Sequence, residues 1–228
     1  MEEDRAVEAP PFRARAWPGD PSGRTALVRA AGRSPGELKA LRAAGFERAR
    51  TGALGHRDAS ALLAAGWKIA AHLHLLRHDL RHLPPEHPRG GPRLRRARQS
   101  DLAAATALDD SAFPLDWRLG QEGLAEALKA TPRARFRLAA ERAHPVAYAI
   151  CGRSGREGYV QRLAVAPSAQ RQGLGRALTL DGLRWLKRWR ATSASVNTYV
   201  GNDAALRLYR SLGFVEIRPG LMVLTIDL

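Results

Sequence analysis

The chain has 228 residues, a formal charge of +15, 45% hydrophobic and 26% charged residues. That length admits one large domain or an ordinary domain with a smaller companion, the apolar fraction is that of a globular protein, and no apolar run is long enough to span a bilayer. The lone cysteine, Cys151, excludes an internal disulfide, and the acidic Met1-Glu2-Glu3-Asp4 start has no signal-peptide character, so a cytoplasmic protein is expected.

The charge is spread rather than clustered. Residues 1–92 carry 15 basic and 10 acidic side chains and residues 93–228 carry 22 and 12, with no polybasic tail. Of the basic residues 33 are Arg and 4 are Lys, a bias that GC-rich coding would give, and the functional alternative is an electropositive face for an anionic ligand, whether polyphosphate, acidic peptide or RNA.

Residues 1–24 hold Pro10, Pro11, Pro18 and Pro21 among few apolar side chains and are expected to be mobile or loosely docked. From 25 to 83 the pattern predicts a strand over 25–30, a helix over 35–44, a strand over 46–54, a helix over 57–65 and a strand over 67–76, together a small α/β unit. An internal echo runs through it. Leu41-Arg-Ala-Ala-Gly45-Phe46 and Leu62-Leu-Ala-Ala-Gly66-Trp67 share a helix end closed by glycine and followed by an aromatic strand start, and Leu208-Tyr-Arg-Ser-Leu-Gly213-Phe214 repeats it with the leucine displaced by one. Residues 84–92, with four prolines and two glycines, are a predicted linker and domain boundary.

Beyond Arg93 the pattern predicts a strand over 93–98, a helix capped by Ser100, a helix over 120–130, and strands over 135–140, 146–151 and 159–165. A long helix over 173–190, a strand over 195–200, a helix over 203–212 and strands over 214–217 and 221–226 complete the series. Cys151 lies in an apolar run and is expected to be a buried small hydrophobe. Trp185 and Trp189, four apart on the long helix, are expected to pack. His78 and His82 have a metal-compatible spacing, but no Cys or carboxylate completes a set, so no metal is expected.

Two segments carry chemistry. After the strand ending at Val165, Ser168-Ala-Gln-Arg171-Gln172-Gly173-Leu174-Gly175-Arg176 leads directly into a helix. The first N–H groups of a helix lack internal partners and sit at its positive dipole end, so a basic glycine turn there suits a pyrophosphate. There is no Lys-Ser or Lys-Thr for a P-loop and no third glycine for a dinucleotide fingerprint. The second segment is Asn202-Asp-Ala-Ala-Leu-Arg-Leu208-Tyr209-Arg-Ser-Leu-Gly213-Phe214. Here Asn202 fits a helix N-cap, and Tyr209 follows two turns later on the same face.

Q-x-x-G-x-G after V-x-P, the N-x-x-A-x-x-L-Y-x-x-x-G-F segment and the element order over 93–228 resemble the GNAT superfamily of acetyl-CoA-dependent N-acyltransferases. The resemblance implies a mixed, mostly antiparallel sheet with flanking helices, an α/β fold preceded here by the small N-terminal unit. It implies acetyl-CoA as acyl donor, an amine-bearing small molecule or peptide N-terminus as acceptor, and direct attack of the amine on the thioester. Backbone groups of Leu163 and Val165 would then hold the pantetheine arm, the amides of Arg171, Gln172, Gly173, Leu174, Gly175 and Arg176 the pyrophosphate, Asn202 would contact the donor, and Tyr209 would protonate the leaving sulfur. Glycines 173 and 175 are read as removing Cβ atoms that would hold the ligand away.

The chain also resembles ribosomal-protein alanine N-acetyltransferases through Gln170-Arg-Gln-Gly-Leu-Gly-Arg176 and Phe113-Pro-Leu-Asp-Trp117. Their base carboxylate lies five residues before the motif asparagine, a position held here by Asn197, which cannot be a base. Glu157, Asp116 and Glu122, or a water relay past Gln161 or Asn197, are the alternatives. A regulatory acyl-CoA-binding module without turnover and a basic nucleic-acid-associated protein are the competing classes. In the N-terminal unit the echo predicts a degenerate half-repeat.

Overall fold

The computed structural model describes residues 7–9, 12–29, 35–85, 92–141 and 144–228. In chain order the elements are β1 (Val7–Ala9), β2 (Phe12–Ala16), β3 (Thr25–Arg29), α1 (Pro35–Ala43), β4 (Arg48–Thr51), α2 (His56–Ala64) and β5 (Lys68–His78). There follow β6 (Leu94–Arg96), α3 (Leu102–Ala112), α4 (Gly120–Lys129), β7 (Arg133–Glu141), β8 (His144–Ser154) and β9 (Glu157–Val165). The chain ends with α5 (Leu174–Arg188), β10 (Ser193–Tyr199), α6 (Asp203–Ser211) and β11 (Val215–Asp227). They fold into two compact units, one of residues 1–75, 197–201 and 218–228, the other of 76–196 and 202–217.

In the first unit the strands lie in the order β1-β2-β3-β4-β11-β5. Pairs β1/β2, β2/β3 and β4/β11 are antiparallel and β3/β4 is parallel. Leu41 and Leu62 from α1 and α2 pack with Phe46, Trp67, Ala26, Ala49 and Leu224 into one core. Both helices close in the same way. The N–H of Phe46 reaches Leu41 O (3.1 Å) and that of Gly45 reaches Arg42 O (3.0 Å), while Trp67 reaches Leu62 O (3.1 Å) and Gly66 reaches Leu63 O (3.1 Å). With Gly45 at φ 86° and Gly66 at φ 91°, these are paired Schellman closures in which the left-handed residue is a glycine.

The second unit has the order β10-β9-β8-β7-β6, antiparallel except for the parallel β9/β10 pair. Side chains alternate across β8 as the two-residue period requires. Tyr148 and Ile150 join Leu102, Leu108 and Leu124 of α3 and α4, whereas Cys151 joins Leu180, Leu183 and Leu186 of α5 and Tyr209 of α6.

Several expectations change. The segment 1–24 holds two strands, because Ala14 alternates inward from β2 against β3, a pattern its prolines obscured. By contact, the first unit's main segment ends at Leu75 and residues 197–201 and 218–228 return to it, and residues 86–91 of the expected boundary at 84–92 lie outside the described ones. Ser100 does not cap α3. The helix begins after a 3-10 turn in which Asp101 Oδ2 accepts the Arg98 N–H at 2.7 Å. The two final strands are one, β11, in which Gly220 carries no Cβ to strike the carbonyl oxygen of Leu73.

Candidate functional site

One strand of the second unit, β9, has an edge that is paired over only part of its length. β9 pairs with β8 from Glu157 to Val165, but its pairing with β10 covers only Glu157↔Ser193, Gly158↔Ala194 and Tyr159↔Ser195. From Val160 to Val165 that edge of β9 has no paired strand among the described residues, a free ladder of roughly 20 Å at about 3.3 Å per residue. A bulge marks the point of divergence. Ile150 faces Arg162 and Cys151 faces Val160, so Gln161 is the extra residue, and its buried Oε1 has no hydrogen-bond partner among the described residues. An extended ligand laid on this edge would find backbone N–H and C=O groups at strand spacing.

At the end of this ladder the chain makes a 3-10 turn (Pro167–Ala169) and passes through two left-handed residues, Arg171 (φ 63°) and Gly173 (φ 80°), into α5. No side chain caps the helix, and the first helical bond is donated by Ala177 to Gly173 O (2.9 Å). The N–H groups of Leu174, Gly175 and Arg176 therefore have no intrahelical acceptors and carry the positive dipole end. Arg171 and Gln172 are exposed, and no atom lies within 4 Å of the place a Cβ of Gly173 would take. The turn is a cradle for an anion, and its residues fit a pyrophosphate. Gly175 has a different purpose from the one expected. A Cβ there would meet Leu208 Cδ2 at 3.2 Å, Val165 Cγ2 at 3.7 Å and Leu163 Cδ2 at 3.9 Å, so the glycine lets α5, α6 and the end of β9 converge.

α6 completes the site. Asn202 Oδ1 accepts the N–H of Ala205 (3.2 Å), which is an N-cap. Tyr209, 5% exposed, belongs to the same core as Val160 of β9, against which Leu163 also packs, and lies edge-on to Phe214 with centroids 5.5 Å apart. Burial raises its phenol above the ordinary tyrosine range, so it stays protonated at neutral pH. The structure thus gathers Leu163, Val165, Leu174, Gly175 and Tyr209, with Arg171, Gln172 and Arg176 at the turn.

Glu157 does not join them. Glu157 sits at the paired end of β9, eight residues or about 26 Å from Val165, and meets Arg77 at 3.3 Å. Asp116 and Glu122 are exposed, as is Asn197 on β10. Among the described residues no group of three or more His, Cys, Asp or Glu stands together as a metal site. Both ring nitrogens of His78 are used instead, Nδ1 accepting from Leu80 N (2.8 Å) and Nε2 bonding Leu212 O (3.1 Å). Cys151 is sealed against α5, and burial pushes its thiol up to about 12, which disfavours the thiolate at neutral pH.

One constellation was not legible in the sequence. Asp109 of α3 is fully buried and accepts Arg162 Nε and Nη2, both at 2.7 Å, as well as Tyr148 OH at 2.5 Å and Leu119 N at 3.2 Å. Arg162 also donates to Trp117 O (2.7 Å) and lies 3.5 Å over the Phe113 ring. The pair ties the segment 113–119 to β9 at its bulge. An arginine among apolar strand residues is the only trace it leaves in the sequence.

The acetyltransferase (GNAT) family model matches residues 102–214. A mycothiol acetyltransferase of Acidothermus cellulolyticus is 49% identical over 57 residues, which are 25% of this chain and 17% of that protein, so the match spans under a fifth of the relative's length. A tandem GNAT protein from the clavulanic acid biosynthesis pathway superimposes with a TM-score of 0.65 at 16% identity, covering 95% of this chain and 78% of the other. A PaiA N-acetyltransferase of Thermoplasma acidophilum, solved in complex with coenzyme A, gives 0.50 at 12% identity, covering 60% of this chain and 98% of its own.

Proposed function

Residues 102–214 belong to the GNAT acetyltransferase family, and from that premise we propose that the chain transfers an acetyl group from acetyl-CoA to a primary amine. The observation that carries the reading is the unpaired edge of β9 running into the uncapped start of α5. Acetyl-CoA supplies the thioester whose carbonyl carbon is the electrophile. The amides at residues 171–176 hold the pyrophosphate, and the β9 backbone at Leu163 and Val165 takes the pantetheine arm as an added strand and polarises the carbonyl. The Tyr209 hydroxyl donates to the sulfur as negative charge builds there, in a desolvated pocket where such a bond counts for more than in water. Asn202 holds the start of α6 beside the donor. Gln161 Oε1, at the bulge, orients a water that passes the amine proton on to solvent, from which the Tyr209 phenolate regains the proton it gave to sulfur.

The acceptor is a small amine or a peptide N-terminus. The first unit is a degenerate half-repeat, a reading supported by the identical closures at Gly45 and Gly66 and by their likeness to the one after α6, where Phe214 N reaches Tyr209 O (3.1 Å) and Gly213 N reaches Arg210 O (3.0 Å). The absence of a carboxylate at Asn197 favours a second reading, a binding module without turnover.

Thermal unfolding with and without acetyl-CoA tests the donor site, because a ligand at 100 times its Kd adds about 2.7 kcal/mol to the folded state. The shift should vanish in Gly173→Glu, whose carboxylate enters the cradle. A shift without acetyl transfer to any amine supports the binding module, and no shift in folded wild type at millimolar acetyl-CoA refutes both readings.

A further inference from the structure

An edge strand serves an extended ligand only if the right backbone groups face outward, and the apolar pattern of β9 does not decide which do. Ala166 N–H donates to Val146 O at 2.9 Å, and the β8/β9 register is regular from there to Ile150↔Arg162. Peptide groups alternate along a strand, so those of Ala164 and Arg162 also turn toward β8, and those of Leu163 and Val165 turn to the other edge. Side chains alternate in step. Leu163 and Val165 pack against the cluster of Leu174 and Leu178 on α5, and Ala164 joins Leu102, Leu108 and Leu124 of α3 and α4. Helices thus cover both faces, and Leu163, Ala164 and Val165 are apolar enough for either. A slip of one residue would turn each of them over and hand the edge to Arg162 and Ala164.

Arg162 is the residue that cannot be turned over. Its side chain is 11% exposed, and two bonds of 2.7 Å join it to Asp109 of α3, whose side chain is fully buried. Val160, two positions earlier, lies on the opposite face in the core of Leu183 and Leu186 of α5. In a regular strand residues two apart share a face, so Val160 and Arg162 are both satisfied only with one extra residue between them. That residue is the bulged Gln161.

We propose that the Asp109–Arg162 pair is a positioning device for the acyl donor. It fixes the register of the bulged strand, so that Leu163 and Val165, and not their neighbours, offer backbone N–H and C=O groups to the pantetheine arm. The role toward the donor rests on the acetyl-transfer reading, and the hold on the register does not. A buried ion pair gains little stability over an apolar pair of the same volume; what it adds is the exclusion of arrangements that leave its charges unpaired.

The test uses the full chain and Asp109→Leu/Arg162→Met, which removes both charges together. Nuclear Overhauser contacts between β8 and β9 read the register with no ligand present. Wild type should show one set, pairing Tyr148 with Ala164 and Ile150 with Arg162, and the double variant should show a second, slipped set or lose the pattern beyond Gln161. Calorimetric titration reads the consequence. Acetyl-CoA should bind the double variant about tenfold more weakly or worse, the contribution of one or two misaligned backbone hydrogen bonds, whereas ADP, with a pyrophosphate and no pantetheine arm, should bind both proteins alike. Arg162→Lys keeps a positive charge beside Asp109 and should keep the wild-type register and the wild-type ratio of the two affinities. Should the double variant not fold, the neutral polar pair Asp109→Asn/Arg162→Gln takes its place with the same expectations. A folded variant with the single wild-type register, or with unchanged acetyl-CoA affinity, would overturn the proposal. So would ADP weakened as much as acetyl-CoA, the mark of a general loss of structure. No acetyl-CoA binding by wild type would sink the donor reading instead, and the Overhauser contacts would still decide whether the pair holds the register.

Discussion

Replacing Arg162 by methionine keeps an unbranched side chain of similar reach and removes the countercharge hydrogen-bonded to Asp109, a carboxylate with 0% of its side chain exposed. Breaking a buried pair from one side costs about 3–5 kcal/mol, because the remaining charge stays in a poorly polarisable place. Loss of the bond to Trp117 O and of the contact over Phe113 adds to this, so Arg162→Met should cost about 4 kcal/mol or more. Asp109→Leu should cost a similar amount, leaving the Arg162 guanidinium, the Tyr148 hydroxyl and the Leu119 N–H without their acceptor. Asp109→Leu/Arg162→Met holds no orphan charge and should be more stable than either single variant, a coupling of at least about 2 kcal/mol. Urea unfolding followed by circular dichroism and by fluorescence measures all four proteins, with a constant slope showing that stability rather than the unfolded state has changed. Single variants that each lose under about 1 kcal/mol, or a double variant equal to their sum, would refute the idea that this pair ties α3 and the 113–119 segment to β9.

Three other outcomes follow from local geometry. α5 ends in a closure like those of α1, α2 and α6, with Ala191 N on Leu186 O (3.0 Å), but its left-handed residue is Arg190 at φ 60°, so Arg190→Gly should raise stability by about 0.5–1 kcal/mol in urea unfolding. His78 is held neutral because burial depresses its imidazole below the usual 6.5, so the unfolded chain takes the proton first. Its contribution is complete above that value and is lost as pH falls through it toward the folded pKa, which predicts a steeper stability loss from pH 7.5 to 5.5 in wild type than in His78→Leu, up to about 1 kcal/mol, measured by urea midpoints. Gly182→Ala, which in an open helix would stabilise, should instead cost about 1–3 kcal/mol by the same measurement, because the new Cβ lands on Cys151 Sγ.

The helix ends at Gly45, Gly66 and Gly213 were legible because one residue type solves a local backbone problem, and a left-handed position leaves a visible glycine. The end of α5 was harder to read for the converse reason, since Arg190 occupies the same conformation without the marker. The basic turn was legible as a turn, but the role of Gly175 was not, because the Leu208 it accommodates is 33 positions away. Most hidden was the divergence of β9 from β10. Side chains alternate in and out along a strand whether or not its edge is paired, so Val160–Val165 reads the same in either case. The Asp109–Arg162 pair, 53 positions apart, and the return of 197–201 and 218–228 to the first unit are likewise products of tertiary contact that no local pattern encodes.

Tyr209 is where the two kinds of legibility collide. In the three matching closures it occupies the place of Leu41 and Leu62, the buried residue whose carbonyl accepts the N–H of the aromatic that follows the glycine. Packing alone asks only for an apolar body at that place, and a leucine supplies it twice. The hydroxyl is therefore surplus to the fold, and Tyr209→Phe separates the two roles. It should leave stability within about 1 kcal/mol of wild type, leave the acetyl-CoA-induced thermal shift unchanged, and lower kcat by a factor of about 100 or more, the range of a lost proton donor. Steady-state acetyl transfer alongside thermal unfolding reads all three. An unchanged kcat would mean that the tyrosine is a third anchor and that the proton reaches sulfur by another path. A loss of stability without a fall in kcat would place the hydroxyl in the core rather than in the chemistry.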